Sequence, residues 1–141
     1  MNGRKRHILV DTQGLLLKAI VHPASVQDRD GGRQLIGALK LEHWPRLKKL
    51  WADAGYRGSF EDWVSERTGW NVEIVNKPPS GGFQVLPRRW VVERTFAWLG
   101  KFRRLSKDYE ALPRNEEAWI YLGMSNLMLA RLGAEALQPA A

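Results

Sequence analysis

Residues 47–56 read Leu-Lys-Lys-Leu-Trp-Ala-Asp-Ala-Gly-Tyr, a short apolar run that ends in an acid and is broken by Gly55. A run of this length bounded by glycine is typical of a buried β-strand. The pattern therefore predicts a strand that ends at Asp53. Ligands gather at the carboxyl ends of strands in open α/β sheets, which makes Asp53 the first candidate functional residue.

The segments before this strand predict a β-hairpin and a helix. Residues 6–22 contain two apolar runs around the turn 11–14, where aspartate at the first and glycine at the fourth position suit a type I turn. After the hairpin, either Ser25 or Gln27 can cap a helix that begins near Asp28. The chain thus opens with two antiparallel strands and a helix.

The segments after the strand complete an alternation of helices and strands. They are a helix capped by Ser59, a strand over 71–76, a helix over about 89–105 and a helix capped by Asn115. This order predicts an α/β fold whose mixed sheet is antiparallel in the hairpin, parallel after it, and flanked by helices. We expect one domain over residues 1–132 and a frayed tail over 133–141.

The composition excludes several classes of protein. The chain has 141 residues, of which 44% are hydrophobic, so it can bury a core as a single domain. It has no cysteine, which excludes disulfides, cysteine zinc sites and thiol nucleophiles. No apolar run approaches the roughly 18 residues of a membrane span, and no signal-peptide pattern opens the chain. We therefore expect a cytoplasmic protein with no membrane partner.

The basic charge is concentrated in one segment. Between residues 88 and 107 there are seven bases and a single acid, so the segment carries +6 of the net charge of +7. A localised basic excess is typical of proteins that bind a polyanion such as DNA, although a solvated basic helix face is the alternative. The predicted DNA-binding residues are Arg88, Arg89, Arg94, Lys101, Arg103, Arg104 and Lys107.

Glu93 is the acid within this basic segment. At about 100° per residue, it shares a helix face with small residues and arginines, namely Arg89, Ala97, Gly100 and Arg104. Two interpretations stay open. Glu93 can form an ordinary surface ion pair with Arg89, or it can join Asp53 in holding Mg2+ or Mn2+, because hard cations take carboxylate oxygens. Such metals assist phosphoryl displacement.

These motifs carry a resemblance to a known family. Asp53-Ala-Gly-Tyr56, followed after 39 residues by Glu93 within Leu-Pro-Arg-Arg-Trp-Val-Val-Glu-Arg-Thr-Phe-Ala-Trp-Leu-Gly-Lys-Phe-Arg-Arg-Leu, resembles the transposases of the bacterial insertion-sequence family IS5, in the IS4/IS5 group of DDE enzymes. The similarity extends over nearly the whole chain and includes residues 3–11, 24–30 and 106–110.

The resemblance implies an RNase H-like fold in which two aspartates and one glutamate bind divalent metal for DNA strand cleavage and transfer. Asp53 matches the second aspartate, Glu93 the glutamate, and Arg89 the signature arginine four residues before it. The tyrosine that opens that signature is not at its expected place, and the basic residue after the glutamate falls at Lys101 or one position away. Tyr56 either contacts DNA near the site or covers the end of the sheet.

The resemblance also implies a missing part, because the first catalytic aspartate of this family lies on a first strand upstream of residues 3–7. We expect the sheet to lack that strand and an upstream transposase segment to be a partner that supplies the third carboxylate. Asp11 is an alternative third acid, although the preference of turns for aspartate explains it. Unpaired strand edges predict an isolated chain that is poorly stable or homo-oligomeric.

Three functions follow as hypotheses. The first is a transposase fragment that acts on the ends of an insertion element and on target DNA, with Mg2+ or Mn2+ as cofactor. The second is a non-catalytic DNA-binding module, or a transposition inhibitor derived from a truncated transposase. The third is an RNase H-like nuclease outside transposition. Binding that falls steeply with salt but ignores magnesium would favour the second.

Overall fold

The computed structural model describes residues 3–76 and 87–136. Its strands are β1 (Arg4–Val10), β2 (Leu16–Pro23), β3 (Lys49–Asp53) and β4 (Asn71–Val75), and its helices are α1 (Asp28–Gly37), α2 (Ser59–Thr68), α3 (Pro87–Gly100) and α4 (Pro113–Ala136). Short 3-10 turns occur at Leu41–His43, Ala54–Tyr56 and Arg103–Leu105. The predicted order of elements and the α/β class are confirmed.

The strands pair in the predicted directions but form two sheets instead of one. β1 pairs antiparallel with β2, and β3 pairs parallel with β4, with Asp53 opposite Val75. In the part of the chain that the structure describes, each sheet has two strands. The expectation of one continuous sheet is therefore wrong for these residues, because β1 and β3 form no ladder with each other.

The ends of the helices differ in detail from the sequence prediction. Gln27 precedes α1 but makes no side-chain cap. The residue that caps α2 is Gly58, at a φ of 95°, and the Glu61 carboxylate accepts a hydrogen bond of 2.6 Å from its backbone N–H. The predicted cap, Ser59, is instead the first residue of the helix. A glycine fits here because side chains rarely adopt this backbone conformation.

The two last helices also have other bounds. α3 ends at Gly100 and a separate turn follows, whereas the sequence predicted one helix to about residue 105. α4 begins at Pro113, two residues before the predicted cap, because proline suits the first turn of a helix. α4 continues to Ala136, so residues 133–136 are helical where we expected a tail. Residues 137–141 lie outside the described part.

The hairpin of β1 and β2 separates two apolar cores. One core packs Leu9 against α1 and α2, and its buried members are Leu9, Leu35, Ile36, Leu39, Phe60, Val64 and Trp70. The other packs the opposite face against α3 and α4, with Ala19, Val21, Leu99, Leu105 and Ile120 buried and Ile8 against them. Because side chains alternate along a strand, Ile8 and Leu9 serve different cores.

Helix α1 approaches the hairpin closely at Gly31. A Cβ on Gly31 would lie 2.5 Å from His22 Nε2 and 2.8 Å from His7 Cε1, whereas one on Gly37 of the same helix would meet nothing within 4 Å. We expect Gly31→Ala to lower the free energy of unfolding by about 1–3 kcal/mol. Gly37→Ala should instead raise it by up to about 1 kcal/mol, and urea titrations measure both. Equal effects would contradict the close approach.

Candidate active site

A cleft separates the two sheets, and we call it the interstrand cleft. It is lined by residues 6–12 of β1 and the turn after it, and by β3 together with Leu47. Residues of α3 between Arg88 and Phe96 also line it. Its volume is about 540 Å³. Asp53 and Glu93 both line it, as do Asp11 and Tyr56. The cleft therefore brings together the acidic residues that the sequence singled out.

Asp53 lies at the carboxyl end of β3, as predicted, and is exposed. Its Oδ1 accepts a hydrogen bond of 2.8 Å from the N–H of Gly55, which closes the 3-10 turn that follows the strand. This bond fixes the direction of the carboxylate. The end of a strand and a local turn together hold Asp53 at the cleft.

Asp28 is a neighbour of Asp53 that the sequence reasoning missed. A Cβ on Gly55 would lie 3.0 Å from Asp28 Oδ2 and 3.1 Å from Asp53 Oδ1, so the two carboxylates flank the same glycine. Lys5 Nζ donates to Asp28 Oδ1 at 3.0 Å and offsets the like charges. The sequence pattern identifies Asp28 only as the start of a helix. Its segment, residues 24–30, belongs to the family resemblance, which was the one available signal.

Glu93 lies on α3 with 61% of its side chain exposed, and its Oε1 lies 3.3 Å from Arg89 Nε. The ion pair that the sequence offered as the structural interpretation is thus present. Carboxylate oxygens of Asp53 and Glu93 are the donors that Mg2+ and Mn2+ prefer, so the donor type fits a hard cation. Among the described residues, no three His, Cys, Asp or Glu side chains form a group able to hold a metal.

Asp11 has a structural role in the hairpin turn. Its Oδ1 accepts hydrogen bonds of 2.9 Å from the N–H groups of both Gln13 and Leu15. The Gly14 N–H also donates to the Asp11 carbonyl at 3.0 Å, as in the predicted type I turn. These bonds favour the turn interpretation over a catalytic role for Asp11.

Tyr56 joins the turn after Asp53 to β1. Its hydroxyl forms a hydrogen bond of 2.9 Å with His7 Nδ1, and its ring packs on Phe60 with centroids 5.2 Å apart. Burial raises the pKa of Tyr56, and the nearby Asp28 and Asp53 carboxylates raise it further, so the hydroxyl stays a donor. This geometry favours the interpretation that Tyr56 covers the end of the sheet. A contact with DNA remains a prediction.

His7 and His22 form a buried pair beneath this turn. Their ring centroids are 4.6 Å apart, and the side chain of each is almost fully buried. Burial lowers the pKa of His7 from 6.5, and the neighbouring His22 and Lys5 lower it further against the opposing effect of Asp28. His7 is therefore neutral at pH 7, and its Nδ1 can accept the Tyr56 hydrogen.

The lowered pKa of His7 predicts a loss of stability in acid. Below pH 6.5 the unfolded chain protonates His7 while the folded chain does not, so the unfolded state binds more protons and stability falls with pH. We expect the thermal midpoint of His7→Gln to fall less than that of the wild type as the pH is lowered from 6.5. The other groups near His7, including Asp28, Asp53 and Tyr56, are common to both proteins. Parallel curves would contradict the prediction.

The predicted DNA-binding residues fall into two groups. Arg94 stacks between Trp90 and Trp98, each centroid 4.7 Å away, and donates to the Gln13 carbonyl at 2.7 Å. Arg89 and Arg104 are likewise paired, with Glu93 and Glu110 respectively. The residues of the second group are exposed, and they are Arg88, Lys101, Arg103 and Lys107. This second group is the better candidate for phosphate contacts.

Arg88 and Trp51 both line the interstrand cleft, and the Arg88 side chain stacks on the Trp51 ring. Its guanidinium lies 4.3 Å from the ring centroid of Trp51, on β3, and Lys49 lies over the same ring at 5.0 Å. Two cations on one indole ring hold positive charge beside the strand that ends at Asp53. The sequence pattern places Trp51 in a buried strand and does not reveal this cluster, because the cluster joins residues far apart in the chain.

Comparison with known proteins identifies the family of the chain. The family model described as "Transposase DDE domain" matches residues 1–128. The chain belongs to the DDE transposase family. It is also similar to a putative transposase for insertion sequence element IS402 of Burkholderia cepacia, with 34% identity over 127 residues that cover 86% of this chain and 60% of that protein. No solved structure matches it.

Membership of a DDE transposase family confirms the assignment that the sequence motifs suggested, and the narrower placement in the IS5 family stays a prediction. This transposase chain spans 60% of the length of the relative from Burkholderia cepacia. Within residues 3–76 and 87–136, none of its helices combines the length and hydropathy that crossing a membrane requires.

Proposed function

We propose that this chain is part of the catalytic domain of an insertion-sequence transposase, with Asp53 and Glu93 as ligands of Mg2+ or Mn2+. The observation that supports it most is that both acids line one cleft, Asp53 from the end of a strand and Glu93 from a facing helix. In this proposal the domain is RNase H-like, lacks its first strand, and acts with an upstream segment that supplies the third carboxylate.

Several groups at this site would have separate roles in catalysis. When bound, the metal would activate an attacking hydroxyl and stabilise the leaving oxygen in DNA strand cleavage and transfer. The Gly55 N–H holds Asp53 in one orientation, which lowers the cost of ordering it around a cation. Arg89 pairs with Glu93 at 3.3 Å and limits the orientations of its carboxylate beside the cleft.

The exposed bases would hold the DNA backbone. Arg88 lies near the start of α3, and Lys101, Arg103 and Lys107 follow its end, so exposed positive charge lies at both ends of the helix. Phosphate contacts position DNA without reading its sequence. We propose the ends of the insertion element and the target DNA as partners, and a homo-oligomer as the active assembly.

A second candidate function is a non-catalytic DNA-binding module, such as an inhibitor derived from a truncated transposase. One observation favours it: Glu93 Oε1 lies 3.3 Å from Arg89 Nε, in the ordinary ion pair of a helix surface. In this case the basic segment alone would act, and Glu93 would serve only to pair with Arg89.

One experiment separates the two functions. The chain is expressed alone and together with the coding sequence upstream of it, and each form is assayed for nicking of supercoiled DNA with Mg2+, with Mn2+ and with EDTA. The transposase proposal expects metal-dependent nicking by the combined form. Binding that needs no metal, weakens steeply with salt and survives Glu93→Gln, with no nicking by either form, would support the binding module instead.

A further inference from the structure

Helix α4 has an apolar stripe on its outer side. The buried residues of α4 lie on its inner side, and they are Glu116, Ile120, Gly123 and Met124. At about 100° per residue, a second set of residues falls within about 80° on the opposite side of the helix. We call this set the outer stripe; all its members are exposed, and they are Ala118, Leu122, Ser125, Leu129, Leu132 and Ala136. The outer stripe therefore faces away from the core of its own chain.

The spacing of the outer stripe is typical of a helix that packs against another helix. Its members follow one another at alternating intervals of four and three residues, as the apolar positions of paired helices do. Leu122, Leu129 and Leu132 have 59%, 68% and 61% of their surfaces exposed. A single exposed leucine is ordinary, but three on one stripe indicate an interaction surface.

The outer stripe is complementary to itself when two copies of α4 run in opposite directions. Leucines and small residues both occur along it, and one antiparallel register sets Leu122 against Ser125 of the second copy and Leu129 against Ala118. A small residue opposite a leucine lets the two helices approach closely. Because a two-fold axis relates the copies, each of these contacts occurs twice.

The charges on α4 favour the antiparallel direction. Three of its charged residues contact groups of their own chain, and they are Glu116, Glu117 and Arg131. The other two, Arg114 and Glu135, are exposed at opposite ends of the helix. The antiparallel register places Arg114 of each copy beside Glu135 of the other. A parallel pair would instead place like charges together, and flanking charges of this kind set the orientation of paired helices.

We propose that the outer stripe of α4 is a dimer interface, on which a second copy of this chain packs its own α4 in the antiparallel direction. The occupant is a second copy because the leucines and the two terminal charges complement themselves under a two-fold axis. Among the described residues, none of α4 lines the interstrand cleft, so the cleft of each copy stays open. The inference goes beyond the proposed function, since this contact needs neither metal nor DNA.

Sedimentation velocity of the full chain, over a range of protein concentrations and without metal or DNA, tests the interface. We expect an equilibrium between monomer and dimer. Leu129→Lys should raise the Kd of the dimer by more than about 100-fold, because it buries a charge on each side of the contact. Tyr109→Lys changes an exposed aromatic residue outside α4 and should leave the Kd unchanged. Circular dichroism checks that both variants keep their helices.

Charge reversal tests the direction of the two helices. Arg114→Glu and Glu135→Arg should each raise the Kd by about tenfold, because each change brings like charges together at two symmetry-related places. The double variant Arg114→Glu/Glu135→Arg should dimerise like the wild type, since it restores both ion pairs with the charges exchanged. A double variant weaker than either single variant would contradict the antiparallel register.

Cross-linking gives an independent measurement, since the chain has no cysteine of its own. Arg114→Cys and Glu135→Cys proteins are treated with a short bismaleimide, separately and mixed. The mixture should give cross-linked dimers, whereas either variant alone should not, because equivalent positions lie about 30 Å apart in an antiparallel pair.

Three results would overturn the inference. Cross-linking of Arg114→Cys alone would mean that the helices are parallel. A dimer that survives Leu129→Lys would place the contact elsewhere, for example at the strand edges. A chain that stays monomeric up to its solubility limit would leave the outer stripe to another occupant, such as the upstream segment. Each of these results is independent of whether the combined form nicks DNA.

Discussion

Replacing Asp53 with asparagine is expected to lower metal-dependent strand cleavage by the combined form by more than about 100-fold. Loss of an outer partner of a metal ligand alone costs about 10–100-fold, and the loss of a ligand should cost more. Asparagine keeps the size of the side chain, and its oxygen can still accept the bond from the Gly55 N–H. The local turn should therefore survive while the negative charge is lost.

The measurement is the rate of DNA nicking over a range of Mn2+ concentrations, with thermal unfolding followed in parallel. Asp62→Asn is the matched control, because Asp62 is an exposed acid in the first turn of α2, and it should keep full activity. Glu93→Gln should behave like Asp53→Asn. A combined form that nicks DNA normally with Asp53→Asn would disprove the assignment of Asp53.

Much of the fold could be predicted because its signals are local. The apolar run before Asp53 and the glycine after it place the end of β3 correctly, and the aspartate and glycine of the hairpin turn do the same for β1 and β2. The prediction of the residue that caps α2 was wrong for a local reason. Ser59 has the side chain of a typical cap, but Gly58 adopts a backbone conformation that serine rarely adopts. Competition between adjacent residues of this kind is hard to resolve from patterns.

The candidate site was predictable only in part. The family resemblance named Asp53 and Glu93, and the structure puts both on one cleft, but neither helical angles nor strand patterns could show that. The position of Asp28 beside Asp53 could not be predicted, because its approach to Gly55 depends on the packing of α1 against the turn after β3. The stacking of Arg94 between two tryptophans and its bond to the hairpin turn join distant parts of the chain, which the sequence could not show, and its contact with DNA stays a prediction.

The largest expected effect on stability comes from Arg6, which joins three elements. Its side chain on β1 donates to the Glu116 carboxylate of α4, and its Nη1 donates to the Leu105 carbonyl at 2.9 Å. Glu116 has only 3% of its side chain exposed, and its Oε2 has no partner among the described residues. Arg6 is therefore the cation that compensates a buried carboxylate.

Replacing Arg6 with methionine keeps the apolar stem but leaves Glu116 buried without its cation. Breaking a buried pair from one side costs about 3–5 kcal/mol, a large part of the 5–15 kcal/mol that stabilises a typical domain. We expect Arg6→Met to lose about that much in urea titrations followed by tryptophan fluorescence. Arg33→Met, which breaks the exposed pair with Asp30 and the exposed hydrogen bond of 2.7 Å to Ser59 Oγ, should change stability by only about 1 kcal/mol.

The double variant Arg6→Met/Glu116→Leu shows whether the loss of stability in Arg6→Met comes from the uncompensated charge of Glu116. It removes both ions together, so no uncompensated charge remains, and the loss should shrink to about 1–2 kcal/mol for the unpaired Leu105 carbonyl. Since the two side chains touch, their effects should be far from additive. A double variant as unstable as the sum of the single variants would mean that Arg6 stabilises the chain by packing, with its charge of little consequence.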